Sequence, residues 1–335
     1  MPTTLVTGAS GFIGPILVAR LQRAGREVAC LVRKSSDVSR LSPLGVELRY
    51  GDVTDPGSLP AALSGVNEVF HLAGRLHAWS YDDFLRVNEA GVTNLLTAAT
   101  TGDSPPTIVL VSSQAAAGPS TADRPRTEAD PPQPVSNYGR SKLAGEQAAR
   151  PFAHAAPITI VRPPVVFGPG DRDGFALFQA IKRTGLHVIP NKQGLPLSLI
   201  HAEDLAEALL LAAEHGERLE YGAARPEQGV YFAADPTVSS YAQMGQLAAL
   251  AMNVPVRVIK LRRWPFVLPA LVMEGIGRMR NKPALISLDK LREASQPGWV
   301  CAPAKAERQL GFQVAVPLAE RYRQTAEWYR ANNWL

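Results

Sequence analysis

The chain has 335 residues, 46% of them hydrophobic, which is enough apolar material for a core and excludes a globally disordered protein. Its 35 basic and 30 acidic residues give a formal charge of +5, too small and too scattered an excess to indicate a nucleic-acid-binding protein. The two cysteines, Cys30 and Cys301, form no CxxC pair or Cys/His metal spacing, so we expect neither a disulfide framework nor a metal site. With no signal peptide before the first strand and no apolar run of the ~18 residues that a spanning helix needs, we expect a cytoplasmic protein.

The first two-thirds of the chain alternate short apolar runs with amphipathic stretches. Strands are predicted, in chain order, at TTLVTG, REVACLV, VELRYGD, VNEVFHLAG, TIVLVSS and ITIVRP. The intervening helices are predicted over Phe12–Ala24, Asp82–Thr100 and Ser136–Arg150. Because strands that alternate with helices require crossover connections, the pattern predicts an α/β fold with a Rossmann-type, doubly wound parallel sheet.

The pattern becomes less regular after Gly168, which suggests a second, smaller unit. We predict a dinucleotide-binding domain over residues 1–168, to which residues 195–228 return. Residues 169–194 and 229–335 are predicted to form a mostly helical, substrate-binding lobe.

A glycine-rich loop, TGASGFIG, lies between the first strand and the first helix. Gly8 permits a tight turn, Gly11 lets the backbone approach a pyrophosphate, and Gly14 lets the helix pack close to the strand. The start of a helix also offers unpaired N–H groups to phosphate. At the first β–α turn of a βαβ unit this pattern predicts a dinucleotide site, whose residues here are Gly8, Ser10, Gly11, Phe12, Ile13 and Gly14.

The end of the second strand predicts which dinucleotide is bound. An acidic residue there would hydrogen-bond the ribose of NAD, whereas a basic one would accommodate the 2′-phosphate of NADP. The strand ends in CLVRKSSD, which places Arg33 and Lys34 at this point and favours NADP(H) over NAD(H). In the alternative, these two are a solvated strand end and Asp37 binds the sugar.

Further cofactor contacts are expected where the third, fourth and sixth strands end. The predicted residues are Asp52 and Val53 beside the adenine, Leu72, Ala73 and Gly74 after the fourth strand, and Pro164 after the sixth. Small residues such as alanine and glycine allow the cofactor to approach closely.

The segment YGRSK places Tyr138 and Lys142 four residues apart on a predicted helix, so that both side chains share one face. A phenol is a weak acid with a pKa near 10, and a neighbouring ammonium is expected to lower that pKa. Ser112 and Ser113 end the fifth strand, at the sheet edge where ligands bind. A serine hydroxyl there can hold a carbonyl oxygen while Tyr138 donates its proton, so we predict Ser113, Tyr138 and Lys142 as the catalytic residues.

Several segments in order resemble the extended short-chain dehydrogenase/reductase family over roughly residues 1–215. They are TGASGFIG, GDVTD, FHLAG, VNEAGVTNLL, VLVSS, YGRSKLAGE, IVRPPVVFGPGD and LIHAEDLAEALLLA. The resemblance implies that Tyr138 is the proton donor and acceptor, Lys142 also positions the nicotinamide ribose, and Ser113 polarises the substrate oxygen. It further implies that Asn88 kinks a helix beside the site, and that Pro163 and Pro164 pass near the nicotinamide.

Within that family, Arg162 followed by Pro163, Pro164 and Val165 departs from the sugar-nucleotide epimerases, which carry an asparagine three residues after this arginine. The sequence is more similar to the 3β-hydroxysteroid dehydrogenase and dihydroflavonol reductase branches. That similarity implies interconversion of a ketone and a secondary alcohol on a small, apolar substrate. The alternatives are a sugar-nucleotide epimerase or dehydratase with tightly bound NAD, and a non-catalytic protein that senses redox state through NADP.

The remaining candidates have structural interpretations that we prefer. His71 and His201 are expected to be structural histidines, since the Tyr–Lys pair already supplies the proton chemistry. Glu203 and Asp204 indicate a helix N-terminus, where negative charge is stabilising, rather than a two-carboxylate site.

Two further hypotheses concern surfaces. Residues 260–282 combine an apolar run with basic flanks. We favour the interpretation that they form a lobe helix that covers the pocket. The alternative is that they contact an anionic membrane surface. The two long helices Asp82–Thr100 and Ser136–Arg150 are expected to pack against a second copy, which would make the protein a homodimer.

Overall fold

The computed structural model describes residues 3–189, 194–222, 225–261 and 288–335. The strands within these ranges are β1 Thr3–Thr7, β2 Glu27–Val32, β3 Glu47–Tyr50, β4 Glu68–His71, β5 Thr107–Val111, β6 Ile158–Arg162, β7 Val165–Phe167, β8 Leu186–Ile189, β9 Pro196–Leu197, β10 Leu199–His201, β11 Val230–Phe232, β12 Ser239–Ser240 and β13 Arg257–Lys260. The helices are α1 Gly14–Arg23, α2 Leu59–Leu63, α3 Tyr81–Asn88, α4 Ala90–Ala99, α5 Gln114–Ala117, α6 Asn137–Ala149, α7 Arg172–Thr184, α8 Ala202–His215, α9 Tyr241–Met252, α10 Leu288–Ala294, α11 Ala304–Leu310 and α12 Leu318–Ala331.

A seven-stranded parallel sheet forms the centre of the molecule, in the order β11-β6-β5-β4-β1-β2-β3. The winding direction reverses between β1 and β4, so the loops that follow these two strands open a crevice at the carboxyl edge. This doubly wound arrangement confirms the predicted Rossmann-type fold, including all six strands expected from the sequence.

Alternate residues of each strand feed two cores, one on each face of the sheet. In β1, Val6 points into the core that α1 and α8 cover, and Leu5 points into the core that α4 covers. Both side chains are fully buried, as expected for a parallel sheet with helices on both faces.

Two predictions about elements were wrong in detail. The helix expected over Asp82–Thr100 is interrupted at Glu89, whose φ of −111° departs from the usual helical value between α3 and α4. The strand β11 is an edge of the central sheet, although the sequence placed residues 229–335 in the lobe. Within 195–228, α8 packs on the main sheet, whereas β10 pairs with β7 in a separate two-stranded sheet.

The smaller lobe has its own aromatic core, built by α7, α9 and α12. Tyr322 and Tyr329 of α12 are essentially fully buried, and the Tyr322 ring stacks on that of Phe167 with centroids 4.5 Å apart. The stretch considered for membrane contact, 260–282, lies outside the described residues from 262 onward. Across the described ranges, no helix has the length and apolar character that crossing a bilayer requires.

Candidate active site

The glycine loop lies flat against the start of the loop that follows β4. Gly8 has a positive φ of 69°, and a Cβ at this position would lie 2.6 Å from the backbone nitrogen of Ala73. A Cβ at Gly14 would lie 2.2 Å from the carbonyl oxygen of Ala9. The N–H of Gly11 donates to the carbonyl of Gly8 at 3.0 Å and closes the turn. Positions 8 and 14 therefore have no room for a side chain, because neighbouring backbone atoms fill the space that a Cβ would occupy.

The N-terminus of α1 is open to a ligand. No side chain in the described part of the chain caps it, and its first turn contains Pro15 and no acidic residue. Its partial positive charge suits a pyrophosphate, which Gly11, an exposed residue, leaves room to approach. Ser10, Phe12 and Ile13 complete the loop and are partly buried. These features fit a dinucleotide.

Two cations follow β2 where the ribose of such a dinucleotide would lie. Arg33 and Lys34 are exposed, and the backbone N–H of Arg33 donates to the Ser36 hydroxyl at 3.0 Å. The carboxylate of the alternative residue, Asp37, accepts from the N–H of Ser39 at 3.0 Å, and hydrogen bonds from the Ser39 side chain and then from its backbone lower the pKa of Asp37. That carboxylate is thus already engaged within its own loop.

Arg40 is a cation at the glycine loop that the sequence analysis missed. Its guanidinium donates to the carbonyls of Phe12 at 3.3 Å and Pro169 at 3.1 Å, and its central carbon lies 5.5 Å from the ring centroid of Trp328. Arg40 therefore links the glycine loop to the lobe. No sequence pattern marks it, because its partners are backbone carbonyls and a ring far away in the chain.

The loop after β3, where the sequence predicts contact with the adenine, packs against α4. Asp52 accepts from the N–H of Thr54 at 2.9 Å and from its hydroxyl at 2.8 Å, which folds the loop back on itself. Val53 is buried, and a Cβ at Gly91 would lie 3.0 Å from its Cγ2 atom. The predicted pair Asp52 and Val53 is thus fixed against α4.

The loop after β4 lies between the glycine loop and Lys142, the predicted catalytic lysine. The N–H of Ala73, which follows Leu72, donates to the Thr7 hydroxyl at 3.2 Å. A Cβ at Gly74 would lie 3.6 Å from Nζ of Lys142. Glycine at this position therefore keeps the space beside the buried lysine free of a side chain.

The three predicted catalytic residues converge at the carboxyl edge of the sheet. The Ser136 hydroxyl caps α6 by accepting the N–H of Gly139 at 3.0 Å, and Tyr138 and Lys142 occupy the next two turns. Nζ of Lys142 donates to the carbonyl of Val111, the last residue of β5, at 2.8 Å. Ser113, two residues later, hydrogen-bonds Tyr138 through its side chain and caps α5.

Burial dominates the electrostatics of this cluster. It raises the pKa of Tyr138 above its usual value, against the opposing influence of Lys290 and of the hydrogen bond with Ser113. It lowers the pKa of Lys142 to about 8, while the negative charge of Glu146 opposes that shift. The expectation that Lys142 would lower the pKa of Tyr138 was therefore wrong, because burial has the larger effect and the cation that opposes it is Lys290.

Asn88 connects the loop after β4 to α6, the helix that carries two of the predicted catalytic residues. Its side-chain oxygen accepts the N–H of Arg75 at 2.7 Å, and its amide donates to the carbonyl of Arg75 at 3.1 Å and to the Ser141 hydroxyl at 2.8 Å. A Cβ at Gly145 would lie 2.2 Å from the carbonyl of Asn88. The residue is almost fully buried beside the break between α3 and α4, where the resemblance placed a kink.

A buried ion pair that the sequence analysis missed lies behind the lysine. Arg162, the last residue of β6, binds Glu146 through two hydrogen bonds of 2.8 and 2.6 Å, and the Ser112 hydroxyl donates to the same carboxylate at 2.5 Å. Glu146 is one turn beyond Lys142 on α6, but its partner Arg162 is 16 residues away on a strand, so helical spacing does not reveal the pair. Pro163 and Pro164 follow and are buried, and the Pro163 carbonyl accepts the N–H of Gln114 at 2.8 Å.

The two histidines have structural surroundings. His71 bonds the Thr7 hydroxyl at 2.8 Å, and burial together with Lys142 lowers its pKa to about 3. His201 caps α8, and burial with Arg321 lowers its pKa to about 3 as well. Asp204, in the first turn of α8, forms a buried ion pair with Arg321 at 2.5 Å.

Comparison with known proteins gives the family. The profile of the NAD dependent epimerase/dehydratase family matches residues 4–224. A ceramide reductase of Caulobacter vibrioides is 30% identical over 332 residues, covering 98% of this chain and 95% of that protein. A putative dihydroflavonol 4-reductase of Synechocystis is 27% identical over the same shares of the two chains. The solved UDP-glucose 4-epimerase of Thermotoga maritima shares the fold, with a TM-score of 0.78 and 20% identity over 99% of both chains. This chain therefore belongs to the NAD-dependent epimerase/dehydratase family, and is an NAD(P)-dependent enzyme of the extended short-chain dehydrogenase/reductase type.

Proposed function

We propose that this protein is an NADP(H)-dependent oxidoreductase that interconverts a ketone and a secondary alcohol on a small, apolar substrate. The observation that carries the proposal is the convergence of Ser113, Tyr138 and Lys142 at the carboxyl edge of the sheet, beside the glycine loop. When bound, the cofactor supplies or accepts the hydride. We assign the proton transfer to the substrate oxygen, and the hydrogen bonds that hold this oxygen, to side chains of the cluster.

Each residue of the cluster has one task in the reduction direction. Tyr138 donates its phenolic proton to the carbonyl oxygen of the substrate, and Ser113 holds that oxygen with a second hydrogen bond. Burial favours the protonated phenol, which is the form that a proton donor needs. Lys142, held against the Val111 carbonyl, keeps a positive charge below the crevice, where it stabilises the developing oxyanion.

The preference for NADP(H) rests on the charges that follow β2. Arg33 and Lys34 are exposed there, and the carboxylate of Asp37 is turned into its own loop by Ser39. A 2′-phosphate placed at this point would meet two cations, one of them a guanidinium, whose planar fork suits phosphate.

The apolar substrate is supported by exposed apolar side chains and by the relatives. Leu76, after β4, is 55% exposed, and Val165, the first residue of β7, is 42% exposed, so both present apolar side chains to solvent. The Phe84 ring lies 6.2 Å from that of Tyr138. Two relatives that match along their length are named as reductases, one for a ceramide and one for a dihydroflavonol.

The cofactor preference is tested by titrating the purified protein with NADPH and NADH, with Arg33→Ala beside it. We expect NADPH to bind at least tenfold more tightly, about 1.4 kcal/mol, and Arg33→Ala to remove most of that gap. Arg23→Ala, which removes an exposed arginine at the far end of α1, is the matched control and should keep the gap. Equal binding of the two cofactors by the unmodified protein would refute the assignment of Arg33.

The reaction is tested with apolar ketones in the presence of NADPH, and separately with UDP-sugars and no added reductant. We expect NADPH consumption with the ketones and its loss in Tyr138→Phe, a change that removes only the hydroxyl. Turnover of a UDP-sugar without reductant would instead favour the epimerase alternative. Cofactor binding without turnover of either class would favour the non-catalytic alternative.

We propose in addition that the protein is a homodimer that pairs through α4 and α6, which pack on each other beside the site. An isologous contact would place the same surface of both copies face to face. Light scattering of the purified protein tests this, and a monomeric mass at all concentrations would contradict it.

A further inference from the structure

Helix α10 of the lobe is docked on the first turn of the catalytic helix α6. The Asp289 carboxylate accepts the backbone N–H groups of Asn137 at 2.9 Å and of Tyr138 at 3.3 Å. Glu293, one turn later, accepts the hydroxyl of Ser136, the capping residue of α6, at 2.6 Å. Two carboxylates thus bind the end of α6 that carries positive partial charge, which is a stabilising arrangement. The contact fixes the position of α10 relative to the catalytic tyrosine.

Lys290, which lies between these two carboxylates in the sequence of α10, has its ammonium group over the ring of Tyr138. Nζ of Lys290 lies 5.1 Å from the ring centroid of Tyr138 and 2.9 Å from a carboxylate oxygen of Glu293. A cation at this distance from an aromatic face is attracted to it, and the attraction increases when the ring carries negative charge. Lys290 lowers the pKa of Tyr138, whereas Glu293 raises it and burial raises it most.

The other groups that face Tyr138 do not replace this cation. Ser113 contributes a neutral hydroxyl and Phe84 an apolar ring. Lys142, one turn along α6, directs its Nζ to the carbonyl of Val111 at the end of β5. Within the described ranges, Lys290 is thus the cation whose charge acts on the phenol, and it comes from the lobe rather than from the catalytic helix.

We propose that Lys290 is a positioning residue of this active site: it lies over the Tyr138 ring, is held there by Glu293 and by the docking of Asp289, and presents a positive charge to the phenol. The proposal rests on the role of Tyr138 given under Proposed function. It follows that the ionisation of the Tyr138 phenol depends on the contact between α10 and α6. Residues from both parts of the protein are therefore needed to complete the site.

The experiment reads the ionisation of Tyr138 directly, without a substrate. A fluorinated tyrosine incorporated at position 138 ionises at lower pH than tyrosine and gives a ¹⁹F NMR signal that can be followed through a pH titration of the NADPH-bound protein. We expect Lys290→Met to move the midpoint upward by about one pH unit, a tenfold change in the ionisation constant. Lys290→Arg, which keeps the charge, should restore the midpoint.

The sign of the shift separates an electrostatic role from a structural one. If Lys290→Met merely loosened α10, water would reach Tyr138 and the midpoint would fall, because burial is what raises it. Arg308→Met removes a charge from an exposed side chain of α11, and should leave the midpoint unchanged. An unshifted or lowered midpoint in Lys290→Met, or an equal shift in Arg308→Met, would overturn the proposal. Retained turnover in Tyr138→Phe would overturn the proposed function instead, and the titration would remain interpretable.

Discussion

Removing the negative charge of Glu146 is the perturbation whose consequences the structure defines best. Glu146 and Arg162 are 1% and 3% exposed, and the guanidinium binds the carboxylate through two nitrogens. In Glu146→Gln the side chain keeps its shape, but the new amide turns a donor toward Arg162 or Ser112, and the buried arginine loses the carboxylate that binds it, which leaves the charge of Glu128 acting on it. Breaking a buried pair in this way costs about 3–5 kcal/mol. That is a large fraction of the roughly 5–15 kcal/mol by which typical domains are stable.

Urea unfolding, followed by far-UV circular dichroism, measures this loss. The matched control is Glu47→Gln, since Glu47 pairs with Arg49 at the surface with its side chain 59% exposed. Exposed pairs of this kind contribute little, so the control should unfold at the urea concentration of the unmodified protein. The double variant Glu146→Leu with Arg162→Met should cost less than either single change, because it leaves no buried charge behind. Equal midpoints for Glu146→Gln and the unmodified protein, or strictly additive costs in the double variant, would refute the reasoning.

The same substitution has a second readout at the catalytic lysine. Glu146 opposes the desolvation that lowers the pKa of Lys142 to about 8, so in Glu146→Gln that pKa should fall further. Lys142 would then lose its charge at lower pH, and the basic limb of the activity profile should move toward acid. A limb that stays in place while stability falls would show that Glu146 acts on the fold alone.

Two other changes give results that the geometry specifies. Gly8→Ala should abolish NADPH binding or folding, because its Cβ would lie 2.6 Å from the Ala73 nitrogen. The control Gly25→Ala is also at positive φ but has open space around it, so it should lower the free energy of unfolding by only about 1–2 kcal/mol, measured by thermal unfolding. Equal effects of the two substitutions would contradict the steric argument. For Lys142, a pKa of about 8 means that the ammonium is lost as pH rises through 8, so kcat/KM should fall there. Lys142→Arg should move that limb upward in the activity it retains, and an unmoved limb would assign the titration to another group.

The sequence predicted the parts of the molecule that depend on neighbours in the chain. The six strands, the glycine loop and the i, i+4 pair of Tyr138 and Lys142 are local patterns, and the fold follows from the crossover rule that links them. The edge strand β11 was assigned to the lobe because three residues, Val230–Phe232, carry too short a pattern to indicate a sheet. The break at Glu89 was missed because its flanking residues keep helical spacing on both sides.

The site residues that were missed are charged groups whose role depends on burial. On a helix, Glu146 has the sequence appearance of a solvated carboxylate, and only the packing of α6 on β6 buries it with Arg162. Arg40 binds two backbone carbonyls, and α10 reaches Tyr138 from far along the chain. No periodicity records such contacts, since their sequence separations exceed any helical or strand repeat.

Both ends of the crevice are held by charged side chains that join the two parts of the protein. At the phosphate end, Arg40 connects the Phe12 carbonyl of the glycine loop to the Pro169 carbonyl and lies over Trp328 of α12. At the catalytic end, Asp289 holds the start of α6. The contacts of the lobe with the rest of the protein therefore fix both the glycine loop and the helix that carries Tyr138. It follows that a lobe variant with weakened NADPH binding need not contact the cofactor, because loss of either connection would free a cofactor-binding segment. Only a change of preference between NADPH and NADH, which Arg33 and Lys34 control in our proposal, would indicate a contact with the 2′-phosphate itself.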